Sequence, residues 1–296
     1  MKMVTPRNLS LVLVVGLALF MLAHTRIGVF IVFDVFGDLF EATDNLVTDA
    51  EQGPLRLDRS LQPLRRLLVP AEIEQISSLS IGSGELWLGT DQSELFSISA
   101  AGELLQKFDL LGGPLLFRQG SVEGLVRDGR SFLAGGELDT IGHWSLTENK
   151  LTRLDDVSAS VASQELTGLC QNSRGVWGSL ETAQIIEVSL GKTYDLDLSG
   201  YLKPDHDLDA LLFSGLDCDD ENFYLVTENY ASLVVARPAA GAELGAIANF
   251  GVYGVFALDP IEASDVAVDE GLVYVSVDHN YFDPHPPLYI YELPIL

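Results

Sequence analysis

Five carboxylate residues recur at a fixed distance from apolar anchor positions in this 296-residue chain. Each lies twelve residues after a leucine or valine that opens an apolar segment. The pairs are Leu79 and Asp91, Leu125 and Glu137, Leu169 and Glu181, Leu216 and Glu228, and Val266 and Asp278. Carboxylate oxygens are the ligands that Ca²⁺ and Mg²⁺ prefer. If these side chains converge, their mutual repulsion favours a bound cation.

The spacing of the anchors predicts the elements that position these carboxylates. Consecutive anchors lie 46, 44, 47 and 50 residues apart, which is the period of a propeller blade. Each repeat has the same order: apolar strand A, a polar turn, strand B, the carboxylate and strand C, with a strand D in the first four repeats. We predict an all-β chain that forms a five-bladed β-propeller. A six-bladed propeller is the alternative, and it would need a further repeat within residues 25–70, where no anchor is found.

The two ends of the repeat region predict how the ring closes. The fifth repeat ends at Leu296, directly after its strand C. The strand-like segment Leu64–Val69 precedes the first repeat and has no partner of its own. We predict that this N-terminal strand completes the last blade, because a closed ring protects strand edges.

The connections of a propeller predict where the carboxylates lie. The loop that enters strand A and the loop that leaves strand B open on the same face, so the five carboxylates should ring one mouth of the central channel, near Glu123. Ca²⁺ is the preferred ion for this oxygen-rich set. The candidate metal ligands are Glu123, Asp91, Glu137, Glu181, Glu228 and Asp278. The alternative is that each carboxylate only ends a strand and stays hydrated by itself.

The N-terminus predicts a membrane anchor. Lys2 and Arg7 precede the apolar run Leu9–Ala23. We predict a cytoplasmic segment at 1–7, a transmembrane signal anchor at 8–24, a tether at 25–60 and the propeller at 61–296. This topology places the propeller on the periplasmic, extracytoplasmic side of the inner membrane. A cleaved signal peptide is the alternative, although no good small-x-small cleavage site follows the run.

The charge balance limits the choice of partner. The chain has 43 acidic and 17 basic residues and a net charge of −26. Such a surface repels phosphate backbones, which excludes nucleic acid as a partner. It favours cations or basic partners, and a merely well-solvated surface is the alternative explanation.

The two cysteines are predicted to remain unpaired. Cys170 follows its anchor by one residue and Cys218 follows its anchor by two. Alternate residues of a strand point to opposite faces, so these offsets predict that the thiols face apart.

Two long loops are expected to open on the same mouth as the carboxylates. They are Gly200–Leu212 and Asp278–Pro287. His206, His279 and His285 lie in these loops without a metal-binding spacing such as HExxH, so a transition-metal site is the weaker hypothesis. Insertions at the mouth of a scaffold are typical places for contact with a protein partner.

The small-residue motifs at the anchors resemble those of a known family. Ser77-Ser78-Leu79, Glu123-Gly124-Leu125 and Ser214-Gly215-Leu216 are similar to the strand starts of the SdiA-regulated, YjiK-like bacterial envelope proteins, and the resemblance covers Ile76 to Leu293. It implies a five-bladed propeller distantly akin to NHL-repeat propellers, behind a membrane or lipoprotein segment. It also implies a calcium site, for which the family often has Glu two residues before the anchor. Only Glu123 carries Glu there in this chain.

Three functions remain open from the sequence. The first is a non-catalytic, membrane-anchored propeller whose acidic mouth binds calcium or a partner. The second is a metal-dependent hydrolase of the lactonase or phytase type that acts through cation-activated water. The third is a structural envelope protein without a ligand.

Overall fold

A computed structural model describes residues 50–82, 84–110, 121–135, 141–147, 150–156, 166–208, 211–241, 246–259, 262–277 and 287–295. The chain divides into two compact parts, Met1–Leu46 and Val47–Leu296, and all of the described residues lie in the second. The predicted anchor at 8–24, Glu137 and Asp278 lie outside the described residues. In the part that is described, no helix has the length and apolar character needed to cross a membrane.

The described chain consists almost entirely of short strands. A 3₁₀ helix at Ala50–Gln52 comes first. Two strands precede the repeats: β1 (Arg59–Ser60) and β2 (Arg65–Leu67). Repeat 1 contains β3 (Ile76–Gly82), β4 (Glu85–Thr90), β5 (Glu94–Ser99) and β6 (Leu104–Asp109). Repeat 2 contains β7 (Gly124–Asp128), β8 (Ser131–Gly135), β9 (Gly142–Thr147) and β10 (Lys150–Asp156). Repeat 3 contains β11 (Leu166–Asn172), β12 (Gly175–Leu180), β13 (Gln184–Glu187) and β14 (Lys192–Asp197). Repeat 4 contains β15 (Phe213–Cys218), β16 (Phe223–Thr227), β17 (Ser232–Ala240) and β18 (Ile247–Ala257). Repeat 5 contains β19 (Ala263–Asp269), β20 (Leu272–Val277) and β21 (Leu288–Glu292).

Each repeat is an antiparallel meander. Repeats 1 and 2 form separate four-stranded sheets, and repeat 5 forms a third with β2 as its fourth strand. Repeats 3 and 4 belong to one nine-stranded sheet, because Phe250 and Gly251 of β18 pair with β14 in parallel. The last residues of β18 pair with β1, which is the ninth strand. This merger of two repeats through their outer strands was not predicted.

The first strands of the repeats follow one another around a closed circle. β3 contacts β7, β7 contacts β11, β11 contacts β15, β15 contacts β19, and β19 returns to β3. The anchors Leu79, Leu125, Leu169, Leu216 and Val266 are all at most 2% exposed. Burial of these five side chains explains the repeated apolar residue, since each one packs between neighbouring sheets.

Tight turns allow each A strand to pair with its B strand. Gly84, Gly129 and Gly271 have φ of 77°, 60° and 82°, which side chains with a Cβ rarely adopt. These glycines lie in the polar turns predicted between strands A and B. In repeats 1, 2 and 5, the predicted turns are therefore present and join paired A and B strands.

The N-terminal strand completes the sheet of the last repeat, as predicted. β2 pairs antiparallel with β21, with Arg65 opposite Ile290, Arg66 opposite Tyr289 and Leu67 opposite Leu288. The Arg66 guanidinium also lies 4.9 Å from the centre of the Tyr289 ring. The first and last segments of the repeat region are thus joined by backbone hydrogen bonds.

Residues 50–60 are part of the folded body and not of the predicted tether. Leu55 is 2% exposed and packs against the core between repeats 3 and 4. The amide of Arg56 donates to the carbonyl of Tyr201 at 2.6 Å, and that of Asp58 donates to Val255 at 2.7 Å. We call residues 50–60 the strap.

Candidate functional site

The three described carboxylates of the repeat occupy equivalent places at one end of their sheets. The amide of Asp91 donates to Gln75 and that of Glu228 donates to Leu212, the residues just before the A strands of their own repeats. The carbonyl of Glu181 accepts from Phe213, the first residue of the next A strand. Each carboxylate therefore lies beside the entry of an A strand, and the three share one face, which we call the mouth.

The mouth carboxylates are in contact with solvent. Asp91 and Glu181 are exposed, and Glu228 and Glu123 are partly buried. The Ser121 hydroxyl donates to Glu123 Oε1. Within the described ranges, no three histidine, cysteine, aspartate or glutamate side chains lie close enough together to hold a metal ion. The predicted ligands Glu137 and Asp278 lie outside those ranges, so the candidate set as a whole remains a prediction.

A cavity of about 490 Å³ opens beside Glu181 at the mouth. Glu181, Gln184 and Asp195 supply polar groups, and Leu196 and Leu211 supply apolar surface. Gln184 Nε2 donates to Asp195 Oδ1 at 2.8 Å. The cavity thus combines carboxylates at its edge with an aliphatic wall.

Other groups of the long loop are used within the fold. The Lys203 ammonium donates to the carbonyls of Glu51 and Gly53 at 2.7 and 2.6 Å. The amide of His206 donates to the carbonyl of Lys203. Lys203 therefore holds the beginning of the strap at the mouth. His279 and His285 lie outside the described residues.

The prediction of unpaired cysteines is wrong. Cys170 on β11 and Cys218 on β15 form a disulfide with a Cα–Cα distance of 5.7 Å. The face rule applies to residues within one sheet, but these two A strands belong to neighbouring repeats and do not pair with each other. Their mutual orientation is set by contact between sheets.

The same offset links other neighbouring A strands. The residue one after the anchor in one repeat reaches the residue two after the anchor in the next. The Ser80 hydroxyl accepts from the amide of Arg127, and Asp217 Oδ2 accepts from the amide of Val268 at 2.6 Å. In neighbouring A strands, the residue one after the anchor therefore lies beside the residue two after the next anchor. The disulfide occupies this position between repeats 3 and 4.

A buried carboxyl group at the centre of the ring accepts hydrogen bonds from backbone amides of three A strands. Asp265 Oδ2 accepts from the amide of Leu79 at 2.7 Å. Its Oδ1 accepts from the amides of Leu216 at 3.1 Å and Val266 at 2.8 Å. Asp265 is 1% exposed, and burial raises the pKa of its carboxyl well above the usual range. It joins repeats 4, 5 and 1.

Glycines at the position equivalent to Asp265 allow the other A strands to approach closely. A Cβ at Gly124 would lie 2.7 Å from the amide nitrogen of Leu169, and one at Gly168 would lie 2.4 Å from that of Leu216. A Cβ at Gly215 would lie 2.3 Å from Asp265 Oδ1. The small residue before the anchor is therefore required by packing at the centre of the ring.

Serine hydroxyls two residues before the anchor add contacts between repeats. Ser77 Oγ donates to the carbonyl of Val122 at 3.2 Å, and Ser264 Oγ donates to that of Ile76 at 2.7 Å. The Ser214 hydroxyl donates to the carbonyl of Ala263. Each bond runs from one repeat to the next, and the bond of Ser264 closes the circle. The three serines at this position are thus explained by the fold.

The residue before the anchor carries a sequence signal for the buried carboxyl group of Asp265. The residue before the anchor is Ser, Gly, Gly, Gly and Asp in the five repeats. A charged residue in this otherwise small and uncharged series indicates a special contact. The cysteines carried no comparable signal, because their pairing depends on how neighbouring sheets meet.

Comparison with solved structures identifies the fold. Glutaminyl cyclase of Myxococcus xanthus is similar with a TM-score of 0.58 and 18% identity, over 81% of this chain and 100% of that protein. The WD40 repeats of RRP9 align with a TM-score of 0.46 and 10% identity, over 74% of this chain and 80% of that one. No family model matches the chain, and no curated protein matches it. The chain has a β-propeller fold, and similarity at this level of identity concerns the fold alone.

Proposed function

We propose that this protein is a membrane-anchored, extracytoplasmic β-propeller that acts without catalysis and binds Ca²⁺ or a positively charged protein partner at its mouth. The supporting observation is the equivalent placement of Asp91, Glu181 and Glu228 beside the entries of the A strands. The propeller has five blades in this proposal, one for each repeat, and β2 completes the last blade.

The charge of the chain supports a cationic ligand. A net charge of −26 produces a negative potential over the surface, which raises the local concentration of cations and basic segments. The carboxylates at the mouth add to this field where long loops also begin. Resemblance to the YjiK-like family further favours calcium, with Glu123 and Glu137 as the first ligands to test.

The cavity beside Glu181 supports a partner with lysine or arginine side chains. Such a side chain has an aliphatic stem and a cationic head. The stem matches Leu196 and Leu211, and the head matches Glu181 and Asp195. The volume of about 490 Å³ is sufficient for one or two such side chains.

The disulfide supports the extracytoplasmic location. Stable disulfides persist in oxidising compartments such as the bacterial periplasm and are rare in the cytosol. The bond between Cys170 and Cys218 therefore favours the same side of the membrane as the predicted signal anchor at 8–24. The two indications are independent, since one comes from the fold and the other from the N-terminal sequence.

Thermal unfolding of the full-length protein in a non-ionic detergent tests the binding of calcium. The midpoint is measured in EDTA and then with millimolar Ca²⁺ or Mg²⁺, because an ion that binds only the folded state must raise it. We expect Ca²⁺ to raise the midpoint and the double variant Glu123→Gln, Glu137→Gln to lose that increase. The control variant His279→Ala, His285→Ala should keep it. An unchanged midpoint in the wild type contradicts calcium binding.

A cysteine-labelling experiment tests the location. Thr48→Cys in the predicted tether is treated in intact cells with a thiol reagent that does not cross the inner membrane. We expect labelling after the outer membrane is permeabilised, and Thr5→Cys in the predicted cytoplasmic segment should be labelled only after lysis. Labelling of Thr48→Cys only after lysis contradicts the extracytoplasmic assignment.

A further inference from the structure

A second cavity, of about 730 Å³, lies between repeats 3 and 4 at the end of the sheets opposite the mouth. Its lining residues come from the A–B turn of repeat 3, the C–D turn of the same repeat and the β17–β18 hairpin of repeat 4. These turns lie at the far ends of strands that begin or end at the mouth. The cavity is therefore separate from the candidate cation site, and the proposed function does not use it.

The length of the β17–β18 hairpin creates this cavity. β17 and β18 contain nine and eleven residues, whereas β13 and β14 of repeat 3 contain four and six. The described pairing of β18 with β14 consists of Phe250 and Gly251. The first residues of β18 pair with β17 instead, as Ile247 does with Ala240. The end of the hairpin thus extends past repeat 3 and forms one wall of the cavity, to which Pro238 also belongs.

Aromatic side chains form the floor of the cavity. Trp177 on β12 and Tyr194 on β14 line it and are 1% and 6% exposed. The ring of Phe250 packs edge-on against both, with centroid distances of 5.8 and 5.9 Å. Leu190 also lines the cavity and is 68% exposed, so it adds apolar surface at the rim. Because each ring is held by its neighbours, the floor can contact a ligand without the entropy cost of ordering side chains.

Two cationic side chains line the same cavity. The Lys192 ammonium lies 4.5 Å from the centre of the Tyr194 ring, and this cation–π contact holds it beside the floor. Arg174 belongs to the A–B turn, which Asn172 fixes in place. Asn172 Oδ1 accepts from the amide of Arg174 at 3.0 Å and from Trp177 Nε1 at 3.1 Å. Both cations are therefore attached to the framework that carries the aromatic rings.

The acidic groups near the cavity are already engaged. Among the described lining residues, Glu187 is the one carboxylate, and its Oε2 accepts from the Tyr194 hydroxyl at 3.1 Å. Asp220 on the next A–B turn interacts electrostatically with Arg174 but does not line the cavity. The lining thus carries two positive charges and one negative charge. This is the reverse of the mouth cavity, whose charged lining residues are both acidic.

We propose that this cavity binds small organic carboxylates that have an apolar or aromatic body. A guanidinium and an ammonium both form charge-assisted hydrogen bonds with a carboxylate. The aromatic floor, Leu190 and Ile247 match the apolar part of such a ligand, and the volume is in the range of small-molecule sites. The net charge of −26 repels ligands with several negative charges. The ligand that fits therefore has a single carboxylate.

Saturation-transfer difference NMR of the full-length protein in a non-ionic detergent tests the proposal with 3-phenylpropionate at neutral pH. Two matched compounds separate the charge from the ring. The compound 3-phenylpropanamide has the same body without the charge, and propionate has the charge without the ring. We expect 3-phenylpropionate to bind with a millimolar or lower Kd, and each matched compound to bind at least about tenfold more weakly, because each lacks one kind of contact. Micelles without protein provide the blank.

Substitutions locate the binding site. Lys192→Gln and Arg174→Gln should each weaken the binding of 3-phenylpropionate about tenfold, because each removes a charge-assisted hydrogen bond. The matched control is Arg130→Gln, since Arg130 lies in the A–B turn of repeat 2 and does not line the cavity. It should bind like the wild type. Ala240→Trp, at an exposed lining position, should abolish binding by filling the cavity.

Three results would overturn the proposal: no signal from 3-phenylpropionate in the wild type, equal binding of the acid and the amide, or equal losses in Arg174→Gln and Arg130→Gln. Lys192 and Arg174 are exposed, so their replacement should leave the fold intact. These two variants decide the outcome even if Ala240→Trp does not fold. EDTA should leave the Kd unchanged, so this site and the proposed calcium binding at the mouth are tested separately.

Discussion

Cys170 and Cys218 are joined across the contact between two A strands that share no backbone pairing, with their Cα atoms 5.7 Å apart. They are 48 residues apart in the chain, and they link repeat 3 to repeat 4 at the same offset at which Asp217 meets Val268. The bond therefore fixes a contact that the fold uses repeatedly, between two strands that are not paired in a sheet.

Removing the disulfide should lower the stability of the whole ring. We predict that the double variant Cys170→Ala, Cys218→Ala loses about 4 kcal/mol of unfolding free energy, from the entropy of a closed loop of this length. The measurement is denaturant unfolding with and without a reductant. Reductant should bring the wild type to the level of the variant and leave the variant unchanged. A wild type that does not respond would show that the bond is absent or without effect.

Arg127 should be important for the contact between repeats 1 and 2. Its guanidinium donates to the carbonyl of Gly82 and lies 4.8 Å from the centre of the Trp87 ring. We predict that Arg127→Ala costs about 2–3 kcal/mol, because a charge-assisted hydrogen bond and a cation–π contact are both lost. Arg127→Lys should recover less than half, since an ammonium cannot stack in the same way.

The control for Arg127 is Arg130→Ala at an exposed position nearby. Surface substitutions of this kind change stability by at most about 0.5 kcal/mol. Chemical unfolding of the three variants under identical conditions provides the comparison. Equal effects of Arg127→Ala and Arg130→Ala would refute the assigned role.

Lys203 should control local opening of the strap. Lys203→Met keeps the aliphatic stem but removes the ammonium that binds the carbonyls of Glu51 and Gly53. We predict at least tenfold faster hydrogen exchange at the amide of Arg56, which bonds to Tyr201, since charge-assisted hydrogen bonds are worth about 1.5–3 kcal/mol. The amide of Leu61, which bonds to Ala257, should exchange at the wild-type rate. Equal acceleration at both amides would indicate global destabilisation instead.

The regular features of the fold could be predicted because each repeat carries the same local signals. The anchors Leu79, Leu125 and Leu169 predict A strands, and turn glycines such as Gly129 predict hairpins. The closing strand could also be predicted, because the last repeat lacks a fourth strand and Leu64–Val69 lacks a partner. These inferences need only pairing within one sheet.

Contacts between sheets could not be predicted in the same way. The disulfide, the merger of β14 with β18 and the packing of the strap all depend on how one sheet meets another. The alternation of side-chain faces along the strands of Cys170 and Cys218 contains no information on how the two strands meet. At the mouth, Glu181 and Glu228 lie beside the entries of A strands, but the distances between carboxylates depend on ring size and loop conformation.

Ring closure is the claim on which the mouth depends, and a cross-link measures it directly. Arg66 and Tyr289 face each other across β2 and β21, so the pair Arg66→Cys, Tyr289→Cys should form a second disulfide in the full-length protein on mild oxidation. The control pair Arg65→Cys, Tyr289→Cys is out of register by one residue and should not. Mass spectrometry of proteolytic peptides identifies the products. A bond in the first pair only is the predicted result, and a folded protein that forms neither bond, or forms both equally, would contradict a ring closed by its N-terminal strand.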